Sequence, residues 1–204
     1  MEDVLDLYEE AYDAKRPVVC FDEKLYQLIG HAQEPIQASP RHCRREDYEY
    51  TREGTCNIFV IVEPKGGKRR VKVTARRTKK DFAECIREMV DVHFIDAEKI
   101  RLVLDNLNTH RLSTLYEFFS PSEARRIIKK IEVHYTPKHG SWLNMAEIEI
   151  SALVRQSLKR RLESAESVAR ELDVAVEERN RLEKKIHWAF STEQARVKLA
   201  RLYC

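Results

Sequence analysis

Three carboxylates in this chain occupy positions where a charged side chain is uncommon. Asp22 and Asp105 each close a short apolar run that is typical of a buried strand, Val18–Phe21 and Ile100–Leu104. Glu147 falls among the apolar positions of a predicted helix. Because ionised carboxylates are rarely buried unless they are paired or bind a metal, these three side chains could converge on one or two divalent cations.

The residue types favour one kind of metal chemistry over others. Carboxylate oxygens suit Mg²⁺, a hard cation that keeps several of its waters. Two such ions about 3.5–4 Å apart can activate a nucleophilic oxygen and stabilise the leaving oxygen of an in-line phosphoryl displacement. The five cysteines are widely spaced, include no CxxC pair and do not cluster with histidines. The pattern therefore indicates phosphoryl transfer rather than a structural zinc site.

Each of these acids also has an ordinary explanation. Aspartates commonly follow strands as turn formers or helix caps, and Asn106 directly after Asp105 strengthens that alternative. A glutamate near the start of a helix, such as Glu147, is favoured by the helix dipole. Glu23 is adjacent to Asp22 but points to the opposite side of an extended strand, so it is the weaker candidate.

The helix after Gly140 contains two glutamates that the helical period separates. At about 100° per residue from Leu143, Glu147 falls near 40°, within the apolar stripe. On the same scale Glu149 falls near 240°, at the polar edge. This projection predicts that Glu147 packs towards the sheet and that Glu149 is an ordinary surface acid.

A dense run of basic residues indicates a polyanionic partner. Between residues 65 and 80 there are nine lysines and arginines and no acid, whereas the net charge of the whole chain is only +3. A solvated hairpin that keeps the protein soluble is the alternative. The residues predicted to contact DNA are Lys65, Lys68, Arg69, Arg70, Lys72, Arg76 and Arg77, together with Lys138.

Composition limits the class of protein. The chain has 204 residues, of which 43% are hydrophobic and 35% charged, which suits one globular domain with or without a helical appendage. The acidic N-terminus does not resemble a signal peptide, and no apolar run approaches membrane-spanning length. An odd number of scattered cysteines favours a reducing compartment. We therefore expect a soluble, cytoplasmic protein with no membrane partner.

The order of predicted elements indicates a mixed α/β sheet. Three strands come first, at 18–22, 57–62 and 70–74; strands at 100–104 and 131–135 alternate with helices. Antiparallel strands followed by βαβ crossovers imply a mixed five-stranded sheet flanked by helices. Residues 26–55 are predicted to be a long loop or weak hairpin. The remaining predicted helices lie at 1–16, 78–90, 113–119, 122–130, 142–162 and 165–186, with a last one capped by Ser191.

Three segments together resemble the catalytic domain of mariner-superfamily transposases, in particular the bacterial insertion-sequence branch. They are Phe21–Glu23, Leu104–His110 and Tyr135–Glu147. In that family the first motif ends a strand with Asp-Glu, and the second is Asp-Asn with a later His. The third runs from a Pro through Ser-x-Leu-Asn-x-x-Glu into a helix. The resemblance covers roughly residues 17–160.

The resemblance implies a ribonuclease-H-like, retroviral-integrase-like fold and a DDE site at Asp22, Asp105 and Glu147. It implies Mg²⁺ or Mn²⁺ as cofactor, cleavage of DNA at transposon ends, and transfer of the freed 3′ hydroxyl into target DNA. It also implies a homodimer that holds two DNA ends. The expected location is the bacterial cytoplasm, in association with the nucleoid. Asn106 and His110 would then lie near the site, although packing against the sheet is the alternative for His110.

This chain departs from the family pattern in ways that leave three functions open. Met145-Ala146 and Trp142 stand where many members have other residues, and 147 − 105 = 42 positions separate the second and third acids. The family's N-terminal helix-turn-helix region is not recognised here, so a separate helix-turn-helix protein from an upstream reading frame is an expected partner. We consider an active transposase domain, an inactive remnant that binds DNA or a full-length partner, and a nuclease without end joining. The expected domains are a catalytic domain, 1–162, and a C-terminal helical extension, 163–204.

Overall fold

The computed structural model describes residues 1–105 and 111–202, which form a mixed five-stranded sheet in the order β3-β2-β1-β4-β5. β1, β2 and β3 are antiparallel neighbours, whereas β4 runs parallel to β1 and to β5. This topology confirms the predicted mixed sheet. The strands are β1 Val18–His31, β2 Tyr50–Glu63, β3 Lys68–Thr74, β4 Ile100–Leu104 and β5 Ile131–Tyr135.

Helices cover both faces of the sheet. α2, α3 and α4 pack on one face through a core that includes Phe21, Phe59 and Ile86. α1, α5, α6 and α7 pack on the other face, where two further apolar clusters include Cys20, Val60 and Leu172. The helices are α1 Glu2–Glu9, α2 Lys79–Glu88, α3 Leu115–Phe118, α4 Pro121–Lys129, α5 Met145–Ser157, α6 Ala165–Arg181 and α7 Thr192–Lys198. Short helical turns of other types cover Met89–His93, Leu112–Thr114, Ser141–Leu143 and Ala200–Leu202.

The first hairpin is much longer than the sequence predicted. Residues 26–55 were expected to be a loop or weak hairpin, but β1 continues to His31 and β2 begins at Tyr50, with a bulge between Gln27 and Ile29. Only residues 32–49 lie between the two strands, and these form two isolated bridges. The Ile29 N–H donates to the Leu162 carbonyl at 2.9 Å, which ties this extension to the segment between α5 and α6.

Two predicted helices are shorter than expected. α1 ends at Glu9, so Tyr12 lies outside it and its side chain is 51% exposed. α5 begins at Met145 after a separate turn and ends at Ser157, rather than running to residue 162. The cap predicted at Ser191 is present at the start of α7, where Ser191 forms a capping box with Gln194.

The C-terminal helices share the core of the sheet. Val168, Leu172 and Val176 of α6 lie in one apolar cluster with Ile58 and Val60 of β2. The first segment of the chain meets the last through α1 and α7, where Thr192 donates to Asp6 at 2.6 Å. The division into a catalytic domain and a C-terminal extension at residue 162 stays a prediction.

Cysteine and membrane properties agree with the composition. The described cysteines, Cys20, Cys43, Cys56 and Cys85, are all free thiols. Over the described ranges, no helix combines the length and the apolar character needed to cross a membrane.

Candidate active site

Two of the three candidate acids are brought together by parallel strand pairing. Cys20 of β1 is opposite Val103 of β4, so continuing the register by two residues places Asp22 beside Asp105. Adjacent strands lie about 4.8 Å apart. Because side chains alternate along a strand, both aspartates belong to the same face as Cys20 and Val103, which pack against the start of α5.

Asn144 connects the third sequence motif to the first. Its side-chain oxygen caps α5 by accepting from the Ala146 N–H at 3.1 Å. Its amide nitrogen donates to the Phe21 carbonyl at 2.8 Å and to Oδ2 of Asp22 at 3.3 Å. Since Asn144 is completely buried, this one side chain fixes both the first turn of α5 and the carboxyl of Asp22.

Glu147 lies in the first turn of α5, and its side chain is exposed. The prediction that it packs into the apolar stripe is wrong, and so is the prediction that Glu149 is a surface acid, because Glu149 is fully buried. The projection started from Leu143, which belongs to the preceding short turn. At about 100° per residue from Met145, the buried positions Glu149, Leu153 and Ile150 fall between 40° and 140°, whereas Glu147 falls near 200°.

The electrostatics of Asp22 show that negative charge converges at this edge of the sheet. The pKa of Asp22 is raised to about 7, chiefly by burial and to a smaller extent by the negative charges of Glu147, Asp105 and Glu23, while a hydrogen bond from the Glu23 N–H lowers it. That hydrogen bond measures 2.8 Å. Asp22 is only 7% exposed, so like-charge repulsion is poorly screened by water.

The donor set has the chemistry that a divalent cation needs, although its geometry is not that of an assembled metal centre. Within residues 1–105 and 111–202, no three His, Cys, Asp or Glu side chains are arranged to hold a metal ion. Asp22, Asp105 and Glu147 nonetheless interact electrostatically, and a cation would relieve the repulsion that raises the pKa of Asp22. The candidates Asn106 and His110 lie outside the described residues.

Glu23 is held on the other face of the sheet from Asp22. Its side chain is almost fully buried and forms an ion pair with Arg77 at 2.9 Å. Arg77, one of the predicted DNA contacts, therefore also ties the segment after β3 to β1.

The predicted DNA-contacting residues divide into exposed and internal groups. The exposed residues are Lys68, Arg70, Arg76, Arg77 and Lys138. The half-buried Lys72 forms an ion pair with Glu88 at 2.7 Å. Arg77 forms an ion pair with Glu23, and Arg69 forms one with Glu149. Lys65 donates a hydrogen bond to the Glu10 carbonyl.

The prediction that Arg69 contacts DNA is wrong, because its side chain is buried. It is 1% exposed, and its Nε lies 3.0 Å from Oε1 of Glu149. It also donates to the Gly67 carbonyl at 3.0 Å and to the Lys184 carbonyl. Alternation along β3 explains this position, since Arg69 points towards α6 while Lys68 and Arg70 point away.

Sequence reasoning missed a buried ion triad that fixes α5. Glu149 accepts two hydrogen bonds from Arg179 of α6, at 2.7 and 2.9 Å, in addition to its ion pair with Arg69 of β3. No local sequence signal joins three residues so far apart in the chain. Asn144 did carry a signal, because an asparagine just before a helical apolar pattern is a typical N-cap.

Comparisons with known proteins identify the family and the fold of this chain. A sequence-family model described as "DDE superfamily endonuclease" matches residues 17–169. No curated protein sequence matches the chain.

Two solved structures share the fold. The Mos1 mariner paired-end complex with Mn aligns with a TM-score of 0.56 and 15% identity, covering 89% of this chain and 54% of that one. The Mos1 transposase paired-end complex with left transposon end aligns with a TM-score of 0.53 and 14% identity, covering 85% and 51%. This chain therefore spans about half the length of the solved chains it matches. The similarity confirms the ribonuclease-H-like fold.

Proposed function

This chain belongs to the DDE superfamily of endonucleases, and from that premise we propose that it is a transposase catalytic domain that cuts DNA at transposon ends and transfers the freed 3′ hydroxyl into target DNA. The observation that carries the proposal is geometric: Asp22 and Asp105 follow neighbouring parallel strands, and Asn144, which contacts Asp22, directly precedes the helix that bears Glu147. Burial, helped by the charges of Glu147 and Asp105, also raises the pKa of Asp22. Groups with perturbed pKa values are concentrated at functional sites.

Each residue has a distinct part in the proposed site. Asp22, Asp105 and Glu147 would hold Mg²⁺ or Mn²⁺. When bound, the cation would activate the attacking oxygen and neutralise charge on the phosphate. Asn144 orients the Asp22 carboxyl through its amide, and it sets the first turn of α5 from which Glu147 projects. The exposed Lys68, Arg70, Arg76 and Lys138 would contact DNA phosphates.

The biological setting is part of the same proposal. Both Mos1 structures are described as paired-end complexes, which supports a homodimer that holds two ends in this protein as well. We further propose, from the sequence resemblance, a bacterial insertion sequence as the source and a nucleoid-associated cytoplasmic location. Asn106 and His110 remain proposed neighbours of the site.

A second candidate function is an inactive domain that binds DNA or a full-length transposase. It is favoured by the finding that no three metal-ligating side chains in the described ranges already form a metal centre. A third is a nuclease of the same fold that does not join ends.

Two assays separate these functions. Supercoiled DNA is incubated with the protein and Mg²⁺ or Mn²⁺, and nicking is compared with Glu147→Gln and with the matched surface control Glu163→Gln. We expect nicking by the wild type and the control, and a loss of at least about 100-fold in Glu147→Gln. A wild type that binds DNA without nicking it supports the inactive domain. Pre-cut ends that are not joined to target DNA support the nuclease.

A further inference from the structure

An exposed tryptophan lies next to the proposed site. Trp142 belongs to the short turn Ser141–Leu143, directly before Asn144, and is 44% exposed. One residue, Leu143, separates it from Asn144, so the Cα atoms of Trp142 and Asn144 are at most about 7.6 Å apart. Asn144 in turn contacts Asp22. A large aromatic surface is therefore available to solvent within a short distance of the candidate carboxylates.

One side of Trp142 is held by other aromatic rings. Its ring is stacked on Trp188, with centroids 6.3 Å apart and an interplanar angle of 21°, and it meets Phe190 edge-on at 5.9 Å. The Trp188 indole N–H donates to the Phe190 carbonyl at 2.8 Å, and Tyr8 lies 5.3 Å from Trp188. This backing limits the movement of Trp142, so little side-chain entropy would be lost when a ligand contacts it.

The turn before Trp142 has an unusual backbone. His139 adopts a positive φ of 63°, which is uncommon for a residue other than glycine, and the Gly140 N–H donates to the Pro137 carbonyl at 2.8 Å. A Cβ on Gly140 would lie 2.6 Å from Cγ of Pro137, so the tight turn requires glycine there. As a result, Lys138 and Trp142 line the same concave surface.

The charges on this concave surface suit a nucleic acid strand. Lys138 is exposed and can reach a phosphate. Glu2 and Asp3 also line the concavity, but Glu2 accepts from Arg196 at 2.7 and 2.9 Å, and Asp3 lies 2.8 Å from Nδ1 of His134. Both acids are therefore already hydrogen-bonded to other side chains, and the ion pair with Arg196 reduces the repulsion of a phosphate by Glu2.

We propose that Trp142 is a stacking platform for an unpaired nucleobase of the DNA strand beside the cleaved phosphodiester, with Lys138 against a neighbouring phosphate. The inference rests on the proposed function, because DNA must be the substrate. An unpaired base is the fitting occupant, since a base within a duplex is already stacked on both faces. Stacking on an aromatic ring accepts any base, so the platform adds affinity without reading sequence.

The test measures affinity for single-stranded DNA without cleavage. A short fluorescent oligonucleotide is titrated, in EDTA, into Glu147→Gln protein that carries Trp142→Phe, Trp142→Leu or Trp142→Ala. We expect Ala and Leu to weaken binding by about 5- to 100-fold and Phe to weaken it much less. The Trp142→Leu variant keeps an apolar side chain against Trp188 and Phe190 but has no aromatic ring. A loss of affinity in Trp142→Leu therefore reports the missing ring rather than a packing defect.

Two controls define the outcome. Tyr116→Ala removes a similarly exposed aromatic from α3 on the opposite face of the sheet and should leave affinity unchanged. A matching oligonucleotide with abasic sites should bind wild type and Trp142→Leu equally. Equal affinity of Phe, Leu and wild type for the normal strand would overturn the platform, as would a Leu defect that persists on abasic DNA. Absence of DNA binding by every variant, the parent included, would instead overturn the proposed function.

Discussion

Asp22 combines burial with three nearby negative charges, and the consequence is a link between stability and pH. Its pKa is raised from 3.8 to about 7 in the folded protein. Between those values the native state binds a proton that the unfolded state has released, so stability falls as pH rises through this range. The cost of the ionised form is fully present above about pH 7.

Neutralising Asp22 should therefore stabilise the metal-free protein at high pH. We expect Asp22→Asn to raise the free energy of unfolding at pH 8, by up to about 4 kcal/mol for a shift of this size, and to have much less effect at pH 4. Urea denaturation in EDTA at several pH values measures this. The control Asp173→Asn changes an exposed acid of α6. Equal effects of Asp22→Asn at both pH values would contradict the raised pKa.

Asn144 has two roles, since its side-chain oxygen caps α5 and its amide nitrogen contacts Asp22. Different substitutions of Asn144 can test these two roles separately. Asn144→Ala removes both contacts and should cost about 1–2 kcal/mol of stability as well as activity. Asn144→Asp keeps the oxygen that caps the Ala146 N–H but replaces the amide that donates to Phe21 and Asp22. We expect this variant to lose DNA nicking, with its stability measured in parallel. Nicking by Asn144→Asp at the wild-type rate would show that the amide does not position Asp22.

The candidate site could be predicted from sequence only in part, and the two glutamates show why. Asp22 was found because an acid at the end of an apolar strand is conspicuous. The two glutamates were assigned to the wrong faces because the apolar stripe was centred on Leu143, which lies outside α5. The face that α5 buries runs through Met145, Ile150 and Leu153, and Glu149 lies on it. The Asn144 cap was the available signal for the correct start.

At the level of elements, the buried triad of Glu149, Arg69 and Arg179 joins α5 to β3 and α6. Removing one partner leaves an uncompensated buried charge, so Glu149→Ala should destabilise the protein by about 3–5 kcal/mol in urea denaturation. Glu177→Ala, an exposed acid on α6, should change stability by less than about 0.5 kcal/mol.

A combined replacement tests whether the loss comes from unpaired charge. Arg69→Met, Glu149→Leu and Arg179→Met together remove all three charges and keep apolar volume. We expect this triple variant to be more stable than Glu149→Ala. A triple variant that is less stable than Glu149→Ala would indicate that the hydrogen-bonding geometry of the triad, rather than charge compensation, holds α5.

Predicting the elements from sequence succeeded for the central strands and failed for the long hairpin, for a physical reason. Val18–Phe21 and Ile100–Leu104 are buried on both faces and therefore apolar, except for Arg101. The outer part of β2, residues 50–55, is exposed and mainly polar, and the outer part of β1, residues 24–31, mixes apolar and polar side chains without strict alternation; the two parts pair mainly with each other. Their strand conformation depends on cross-strand hydrogen bonds and on the Leu162 carbonyl, neither of which leaves a periodic signal.

At the level of the whole molecule, the basic edge of the sheet should dominate electrostatic attraction to DNA. Arg70→Gln with Arg76→Gln removes two exposed charges near β3 and should reduce the slope of log affinity against log salt by about 2. Arg125→Gln with Lys129→Gln removes two exposed charges on α4, which packs beside β5 at the other edge. The same change of slope in both double variants would show that net charge, not this edge, determines the attraction.

The central claim is that Asp22, Asp105 and Glu147 share a divalent cation, and Mn²⁺ titration followed by calorimetry tests it most directly. We expect Asp22→Asn, Asp105→Asn and Glu147→Gln each to weaken Mn²⁺ binding by at least about 10-fold, and Glu163→Gln to bind as the wild type does. Full Mn²⁺ affinity in Glu147→Gln would contradict the account, because the third carboxylate would then have no part in holding the ion.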